Sequence, residues 1–354
     1  MKKTRVAVVF GGTNAEHEVS LVSAKGIIEN LDSSKYEVLS VLITKENEWV
    51  VTRELSTNYQ QVLADKIQSS NHSITSIKNV LQEGRVDVVF PVLHGPYGED
   101  GTIQGMLELL RLPYVGSGVT GSAICMDKVL QKQLCQAAGI SVPMYVWFTK
   151  QQWINKTFPI VNFAEDLGYP LFVKPANQGS SVGVTKAHHR KELLNGIKQA
   201  LTRDTKVIVE RAVPNAREIE CSVLGNDDPE VSVLGEVIPN REFYDYEAKY
   251  LDEKSRIIIP ADLPTRLTTK IQQAARASFT VTDCAGLARV DFLIDGKTNK
   301  CYLSEINTMP GFTPISMYPK LWEASGLSYP HLLDRLIELA LERHAERSSL
   351  NFSR

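Results

Sequence analysis

Gly286-Leu-Ala-Arg289-Val-Asp291-Phe292 and Cys301-Tyr-Leu-Ser-Glu305-Ile-Asn307-Thr-Met-Pro310-Gly311 are two alternating runs joined by a short turn. Side chains on a strand alternate faces, so Arg289 and Asp291 share one face while Val290, Phe292 and Ile294 supply the other to a core. On the return run Glu305 and Asn307 group with Leu303, and Tyr302, Ser304 and Ile306 lie opposite. Asp295-Gly296 and Asn299 supply the turn. A hairpin centred near Thr298 sets Asp291 across from Glu305 and Arg289 across from Asn307, so four polar groups converge on one patch. Two carboxylates and an amide are hard oxygen donors that suit Mg²⁺, and the arginine beside them can hold phosphoryl oxygens. An isolated Asp and Glu on facing strands would read as an ordinary solvated ion-pair face. An arginine, two carboxylates and an amide in alternate register, followed by Met-Pro-Gly, are far more specific than that.

The chain has 354 residues, 43% hydrophobic and 23% charged, with a formal charge of −2. That length allows about two to three domains. The charge balance leaves no basic excess for nucleic acid and no polybasic run for a membrane surface. Lys2 and Lys3 precede an apolar run, Val6-Ala-Val-Val-Phe10, that ends at Gly11-Gly12. The run is too short for a secretion signal, and no stretch approaches the roughly 20 apolar residues of a membrane span. Five cysteines (Cys125, Cys135, Cys221, Cys284, Cys301) have no metal-ligand spacing, which fits buried thiols in a reducing compartment. A catalytic cysteine approached in space by His94 or His17 stays open, without local support. The expectation is a soluble cytoplasmic protein acting on small molecules, with neither nucleic acid nor membrane as partner.

Residues 1–121 alternate apolar strand runs (residues 6–10, 38–43 and 86–92) with helix-like stretches at 19–31 and 102–110, the pattern of a doubly wound parallel sheet. Such sheets bind ligands beyond the carboxyl ends of their strands. Gly11-Gly12 and His94-Gly-Pro-Tyr-Gly-Glu-Asp-Gly101 fall there. Gly116-Ser-Gly118 reads as a break. A helix over about 122–138 opens a second unit, residues 122–214, with strands near 170–174, 182–185 and 206–210 and a helix near 191–201, an α+β pattern. A third unit, 215–354, carries strands at 219–224 and 231–238, an aromatic, charged segment from Arg241 to Tyr250, a helix from Thr265 to about Asp283, the hairpin, and a closing amphipathic helix over 329–346.

Gln178-Gly-Ser180-Ser181-Val-Gly183 lies between two strands, where small residues let backbone amides approach an anion closely. It reads as a phosphate loop or as an ordinary Gly-Ser turn, and Lys174 on the strand before it favours the first. It lacks the P-loop pattern, and Gly11-Gly12 does not complete a dinucleotide fingerprint. Lys128, in Met126-Asp-Lys128, offers a second cation, although either lysine alone is more often a solvated charge. Val207-Ile-Val-Glu210-Arg-Ala-Val213 is an apolar strand running into a polar stop, suited to wall a purine or simply to end a core strand. Glu218 could accept from ribose hydroxyls.

These pieces in this order resemble the ATP-grasp superfamily. Glu16 within Gly11-Gly-Thr-Asn-Ala-Glu-His-Glu-Val-Ser20, the His94–Gly101 string, Tyr244-Asp-Tyr-Glu-Ala-Lys-Tyr250 and Asn307-Thr-Met-Pro-Gly-Phe-Thr313 further resemble the D-alanine:D-alanine ligase family, collinearly from residue 5 to about 345. The resemblance implies an N-terminal doubly wound domain followed by a two-domain ATP-grasp fold. It also implies a cytoplasmic, commonly homodimeric enzyme of cell-wall synthesis that joins two D-alanines with ATP through an acyl phosphate.

By the same resemblance, Asp291, Glu305 and Asn307 hold two Mg²⁺ (or Mn²⁺), and Arg289 with the Gly311 amide forms the oxyanion site. Lys128, Lys174, Ser180, Ser181 and Lys249 serve the phosphates; Glu210, Arg211 and Val213 contact adenine, and Glu218 the ribose. Glu16 binds the first substrate's ammonium with His94 nearby, where helix capping by Glu16 and Glu18 is the plain alternative. Ser316 binds the second substrate's carboxylate, or merely caps a helix. Residues 242–254 form a closing lid from which Tyr250 reaches Glu16 and Ser180. A tyrosine at 250 accompanies amide formation in the family, where phenylalanine accompanies ligases that also make the D-lactate ester. The competing readings are an ATP-grasp carboxylate–amine ligase with another second substrate, or a nucleotide-binding regulator without turnover.

Overall fold

The computed structural model describes residues 2–52, 81, 85–156, 159–238 and 256–351. Strand β1 (Thr4–Gly11), helix α1 (His17–Asn30), strands β2 (Tyr36–Ile43), β3 (Trp49–Thr52) and β4 (Val88–Val92), and helix α2 (Thr102–Leu109) build the first layer set. Its sheet runs β3-β2-β1-β4. β1 pairs in parallel with β2 and β4, as the alternating pattern predicts, while β3 is an antiparallel edge that the pattern does not announce. Alternation along β1 sends Val6, Val8 and Phe10 to one face with Ala24 and Ile27 of α1. Ala7 and Val9 go to the other with Ile103 and Leu107 of α2. Both faces are covered, so the strands read as continuous apolar runs.

The helix expected over 122–138 is two helices, α3 (Val119–Met126) and α4 (Lys128–Ala137). Asp127 breaks them: its backbone is extended at φ −84°, ψ 100°, and its carboxylate accepts from the Val129 and Leu130 N–H groups. A side chain that can cap the next helix competes with continuing the previous one. The break frees the Lys128 N–H to donate to the Ala176 carbonyl at 3.0 Å.

The second sheet, β5-β8-β6-β7, comprises β5 (Tyr145–Thr149), β6 (Leu171–Pro175), β7 (Thr185–Ala187) and β8 (Lys206–Arg211). Helices α5 (Lys150–Asn155), α6 (Ile160–Asp166) and α7 (Arg190–Ala200) accompany it. Leu171, Val173, Val207 and Val209 pack under Leu193 and Ile197 of α7. Phe172, Lys174, Ile208 and Glu210 therefore face the opposite side, toward α4 and the third sheet. The strand expected over 182–185 begins only at Thr185, because Ser180, Ser181 and Gly183 hold left-handed backbone at φ 46°, 59° and 75°.

The third sheet, β11-β10-β9-β12-β13, contains β9 (Arg217–Gly225), β10 (Glu230–Ile238), β11 (Arg256–Ile258), β12 (Gly286–Ile294) and β13 (Cys301–Asn307), with α8 (Thr265–Val281) on one face. β12 and β13 pair Asp291 with Glu305 and Arg289 with Asn307, the register read from the turn. Toward the turn the ladder shifts by one residue: Phe292 faces Leu303, and Ser304 has no partner. This bulge at Ser304 corrects the expected grouping of Leu303 with Glu305. Leu303 instead turns into the core with Phe292 and Ile306, because one extra residue flips every side chain beyond it. Helices α9 (Met317–Ala324) and α10 (Tyr329–Ser348) close the chain. α10 buries Leu332, Leu333, Leu336 and Ile337 in the same core as β1 and β4.

Candidate active site

Alternation along β9 and β12 places Glu218 and Glu220 on the face that carries Arg289 and Asp291. Arg289 donates from Nε to Asp291 Oδ1 and from NH2 to Oδ2, both at 2.7 Å, a bidentate fork. Its Nε also lies 3.1 Å from Glu220 Oε2, and Asn307 Nδ2 donates to Asp291 Oδ2 at 3.1 Å. With Glu305 at the next register position, this patch presents carboxylate and amide oxygens of the kind Mg²⁺ prefers. The donor chemistry fits a divalent ion, and a phosphoryl group would compete with Asp291 for the arginine fork.

Across from this patch, the loop after β13 is held by three bonds from the first unit, with a fourth bracing His94 on Ser23. His94 Nδ1 lies 2.9 Å from the Met309 carbonyl and its Nε2 3.1 Å from Ser23 Oγ. Ser23 Oγ accepts the Phe312 N–H at 3.2 Å, and Glu99 Oε1 accepts the Met309 N–H at 3.2 Å. Burial pushes His94 down to about 4, helped by the nearby Arg289 charge and opposed by its bond to Met309. The imidazole is therefore neutral at working pH, with Nδ1 the donor to a carbonyl. Burial, with Glu16 close by, pushes Glu99 up to about 8. Glu99 was not singled out by sequence, although it lies within the quoted string after His94. Its signal was the acid following Gly98, whose packing on Leu93 leaves no room for a Cβ.

Glu16 is 5% exposed and its carboxylate accepts from the Ser180 hydroxyl. It stands at the start of α1 without making a capping bond, so the capping alternative is not realised for it, while Glu18 pairs with Lys45 at 2.8 Å. A Cβ at Gly179 would stand 2.8 Å from Glu16 Oε2, and one at Gly95 only 2.1 Å. The two glycines are what let the phosphate-type loop and the His94 loop close on this carboxylate. Ser316 precedes α9 yet does not cap it; its Oγ accepts the Thr313 N–H at 2.9 Å. A Cβ on Gly311 would come within 2.7 Å of that oxygen, and no described residue accepts from the Gly311 N–H. Glu16, His94, Ser180, Arg289, Asn307, Gly311 and Ser316 thus line one pocket.

A second pocket adjoins it, walled by Lys128, Gln178 and Glu305, with Glu99, Gly179 and Asn307 shared between the two. Lys128 Nζ donates to the Gln178 carbonyl at 2.6 Å and lies 3.8 Å from Glu305 Oε2. Lys174 Nζ donates to Glu210 Oε2 at 2.7 Å. Glu210 is 2% exposed. Although burial alone would raise it, the Lys132 and Lys174 ammonium groups hold its carboxyl down at about 2. Its side chain is therefore committed to lysines and not presented as a free acceptor for a purine. Arg211 is exposed at the end of β8, Val213 and Glu218 are half-buried, and Glu218 pairs in register with Leu293. Ser181 lies in the left-handed turn beside Ser180. Lys249, Tyr250 and the rest of the segment 242–254 lie outside the described residues. The cysteines are buried or half-buried free thiols, and burial pushes Cys135, Cys221 and Cys301 up to about 12, which suits packing and not nucleophilic attack.

Two sheets, of four and five strands, facing each other across a phosphate-type loop, with a carboxylate–amide hairpin on the larger, define an ATP-grasp protein. The chain matches the family described as D-ala D-ala ligase N-terminus over residues 5–117 and the one described as D-ala D-ala ligase C-terminus over residues 134–338. It is 47% identical over 363 residues to a D-alanine–D-alanine ligase of Caldicellulosiruptor bescii, covering 100% of both chains. Among solved structures it resembles the VanG D-Ala:D-Ser ligase from Enterococcus faecalis (TM-score 0.81, 36% identity, 96% of this chain and 100% of that one). It also resembles a D-alanine–D-alanine ligase from Bacillus anthracis complexed with ATP (TM-score 0.75, 29% identity, 97% and 99%). The chain belongs to the D-alanine–D-alanine ligase family.

Proposed function

We propose that the protein joins two D-alanines to D-alanyl-D-alanine with ATP, for peptidoglycan precursor synthesis, and that the residues named above carry the reaction. One observation supports this most: Glu16 and Ser180 meet across two units of the fold and share a pocket with Arg289, Gly311 and Ser316. An ammonium, a carboxylate and a developing oxyanion each find an opposite partner there. The first D-alanine sits with its ammonium on Glu16, and its carboxylate attacks the γ-phosphate, breaking the bond to the β-phosphate oxygen so that ADP leaves. The acyl phosphate that results is attacked by the amine of the second D-alanine, whose carboxylate is held by Ser316, and phosphate leaves. Arg289 and the Gly311 amide face the oxygen that gains charge, so catalysis is chiefly positioning and electrostatic stabilisation. Lys128, Lys174, Ser180, Ser181 and Lys249 hold phosphate oxygens; Arg211, Val213 and the backbone at Glu210 border the adenine, and Glu218 the ribose.

Asp291, Glu305 and Asn307 are the residues that would hold two Mg²⁺ or Mn²⁺, which supply charge neutralisation along the polyphosphate. The lid role that the family resemblance implies for residues 242–254, with Tyr250 joining Glu16 and Ser180, falls outside the described residues. The likeness to the VanG D-Ala:D-Ser ligase keeps a different second substrate as the alternative. Assembly as a cytoplasmic homodimer is carried from the family; no helix of the described residues is long and apolar enough to cross a membrane. Sedimentation as a monomer would remove the dimer from this proposal. The experiment for the activity is ADP release with Mg·ATP and D-alanine, beside L-alanine and beside D-alanine plus D-serine or D-lactate, with products identified by mass. Dipeptide formed from D-alanine alone supports the proposal; a mixed product in preference to it transfers the protein to the alternative.

A further inference from the structure

We infer that Lys132 is a positioning residue for ATP: it fixes Glu210, and through Glu210 the nucleotide-facing Lys174, against the strand that carries the metal ligands. The inference rests on the ATP-site reading above and adds a residue that contacts no proposed ligand. Lys132 lies one helical turn beyond Lys128 on α4, hence on the same face. It is fully buried, with a side-chain exposure of 0%. A lysine is almost never buried without a partner, and this one has two. Its Nζ donates to the Ser304 carbonyl at 2.7 Å and stands 3.2 Å from Glu210 Oε1, while the other oxygen of Glu210 takes Lys174.

Each contact belongs to a different part of the fold. Ser304 is the bulged residue of β13, without a partner in the ladder, immediately before Glu305. Glu210 ends the apolar part of β8, opposite Phe172 on β6, and Lys174 follows two residues later on β6. One ammonium thus ties α4, the second sheet and the third sheet at the place where the two sheets approach. Desolvating two lysines and a carboxylate is costly, and an apolar replacement of such a cluster is often neutral or stabilising. The arrangement is therefore better explained by placement than by stability. Without Lys132, Glu210 has Lys174 alone as partner and the Ser304 carbonyl loses its donor, so Lys174 is drawn fully onto Glu210 and away from phosphate.

The test is steady-state kinetics of Lys132→Met. The expected result is a KM for Mg·ATP raised on the order of tenfold or more, with KM for D-alanine within about twofold of the parent because Glu16 and Ser316 are untouched. Lys132→Arg, which keeps charge and donors, should recover part of the loss. Glu210→Gln/Lys132→Met removes both charges and guards against a fold lost to an unpaired carboxylate; its KM for ATP should equal that of Glu210→Gln alone, since Lys132 acts through Glu210. Lys174→Ala is run alongside. An unchanged KM for ATP in folded Lys132→Met, with Lys174→Ala impaired, overturns this inference alone. An unchanged KM in both overturns the ATP-site reading itself. Additive losses in the double variant would overturn the route through Glu210.

Discussion

His94 shows how a buried side chain can be fixed in one protonation state by its surroundings. Its value lies at about 4 in the fold against 6.5 outside it, so the unfolded chain binds the extra proton first. The neutral form contributes stability that is complete above pH 6.5 and lost as pH falls toward 4, about 3 kcal/mol over that window. His94→Leu should be less stable at pH 7, having lost the bonds to Met309 and Ser23, yet its urea midpoint should fall less steeply between pH 6.5 and 4. Parallel curves for parent and variant would refute the assignment. Gly311 makes a steric case at the same scale. An alanine there puts a methyl 2.7 Å from Ser316 Oγ, so Ser316 must move and the donor at 311 with it. The expectation for Gly311→Ala is a fall in kcat/KM for the second D-alanine of about 10²-fold, the size seen when one oxyanion donor is lost, with KM for ATP little changed. A variant with parental kinetics would take Gly311 out of the site.

Among elements, the hairpin was the most legible, because a two-residue period and an Asp-Gly turn fix both faces and register. What the pattern could not reveal was the bulge at Ser304: its extra residue is chemically unremarkable, and only the burial of Leu303 against Phe292 exposes the slip. The long helix over 122–138 failed for a related reason. Asp127 reads as one polar residue in a periodic run, and its capping bonds appear only once the Lys128 N–H is seen to go elsewhere. Glu99 and Lys132 were missed because long-range partners, not neighbours in sequence, give them meaning. The loop after β13 depends on Phe312, which is fully buried among Phe90, Tyr318 and Tyr329 at centroid distances of 5.8, 5.6 and 6.2 Å. Truncation to alanine leaves a cavity that these rings cannot fill by collapsing, so Phe312→Ala should cost about 3–5 kcal/mol in chemical denaturation. Because the ring seats the loop whose backbone N–H at 312 donates to Ser23, activity should fall even where the variant is fully folded. A loss below about 1 kcal/mol would mean that the loop is not anchored by this ring.

On the scale of the molecule, the three consecutive units proposed at 1–121, 122–214 and 215–354 are not three independent cores. The second sheet has its own, in which Val173, Val207 and Val209 pack under Leu193 and Ile197. The first sheet has its own on one face only, where Ala7 and Val9 pack with Ile103 and Leu107. Its other face is completed by α10 from the far end of the chain, with Leu332, Leu333, Leu336 and Ile337 packed in the cluster that contains Val8, Phe10 and Phe90. Polar clamps accompany that packing: Arg343 donates to the Gly116 and Tyr114 carbonyls at 2.5 and 3.1 Å and lies over the Tyr114 ring, while Asp334 accepts from Lys35 and Tyr36. Burying each of the four aliphatic side chains is worth about 1.5–3 kcal/mol as an upper bound. Together they rival the whole stability of an ordinary domain, about 5–15 kcal/mol. The first and third units are therefore coupled through a shared core, which also keeps the His94 loop in place over the Arg289 patch. A fragment of residues 1–121 should lack a cooperative thermal transition and bind a hydrophobic dye, and residues 1–328, ending before α10, should do the same for their N-terminal part. Supplying α10 as a separate peptide should restore order to the 1–328 fragment in proportion to its concentration, because closing the core becomes a binding step. A sharp unfolding transition in the 1–121 fragment alone would show that the first sheet is a self-sufficient domain and that α10 merely leans on it.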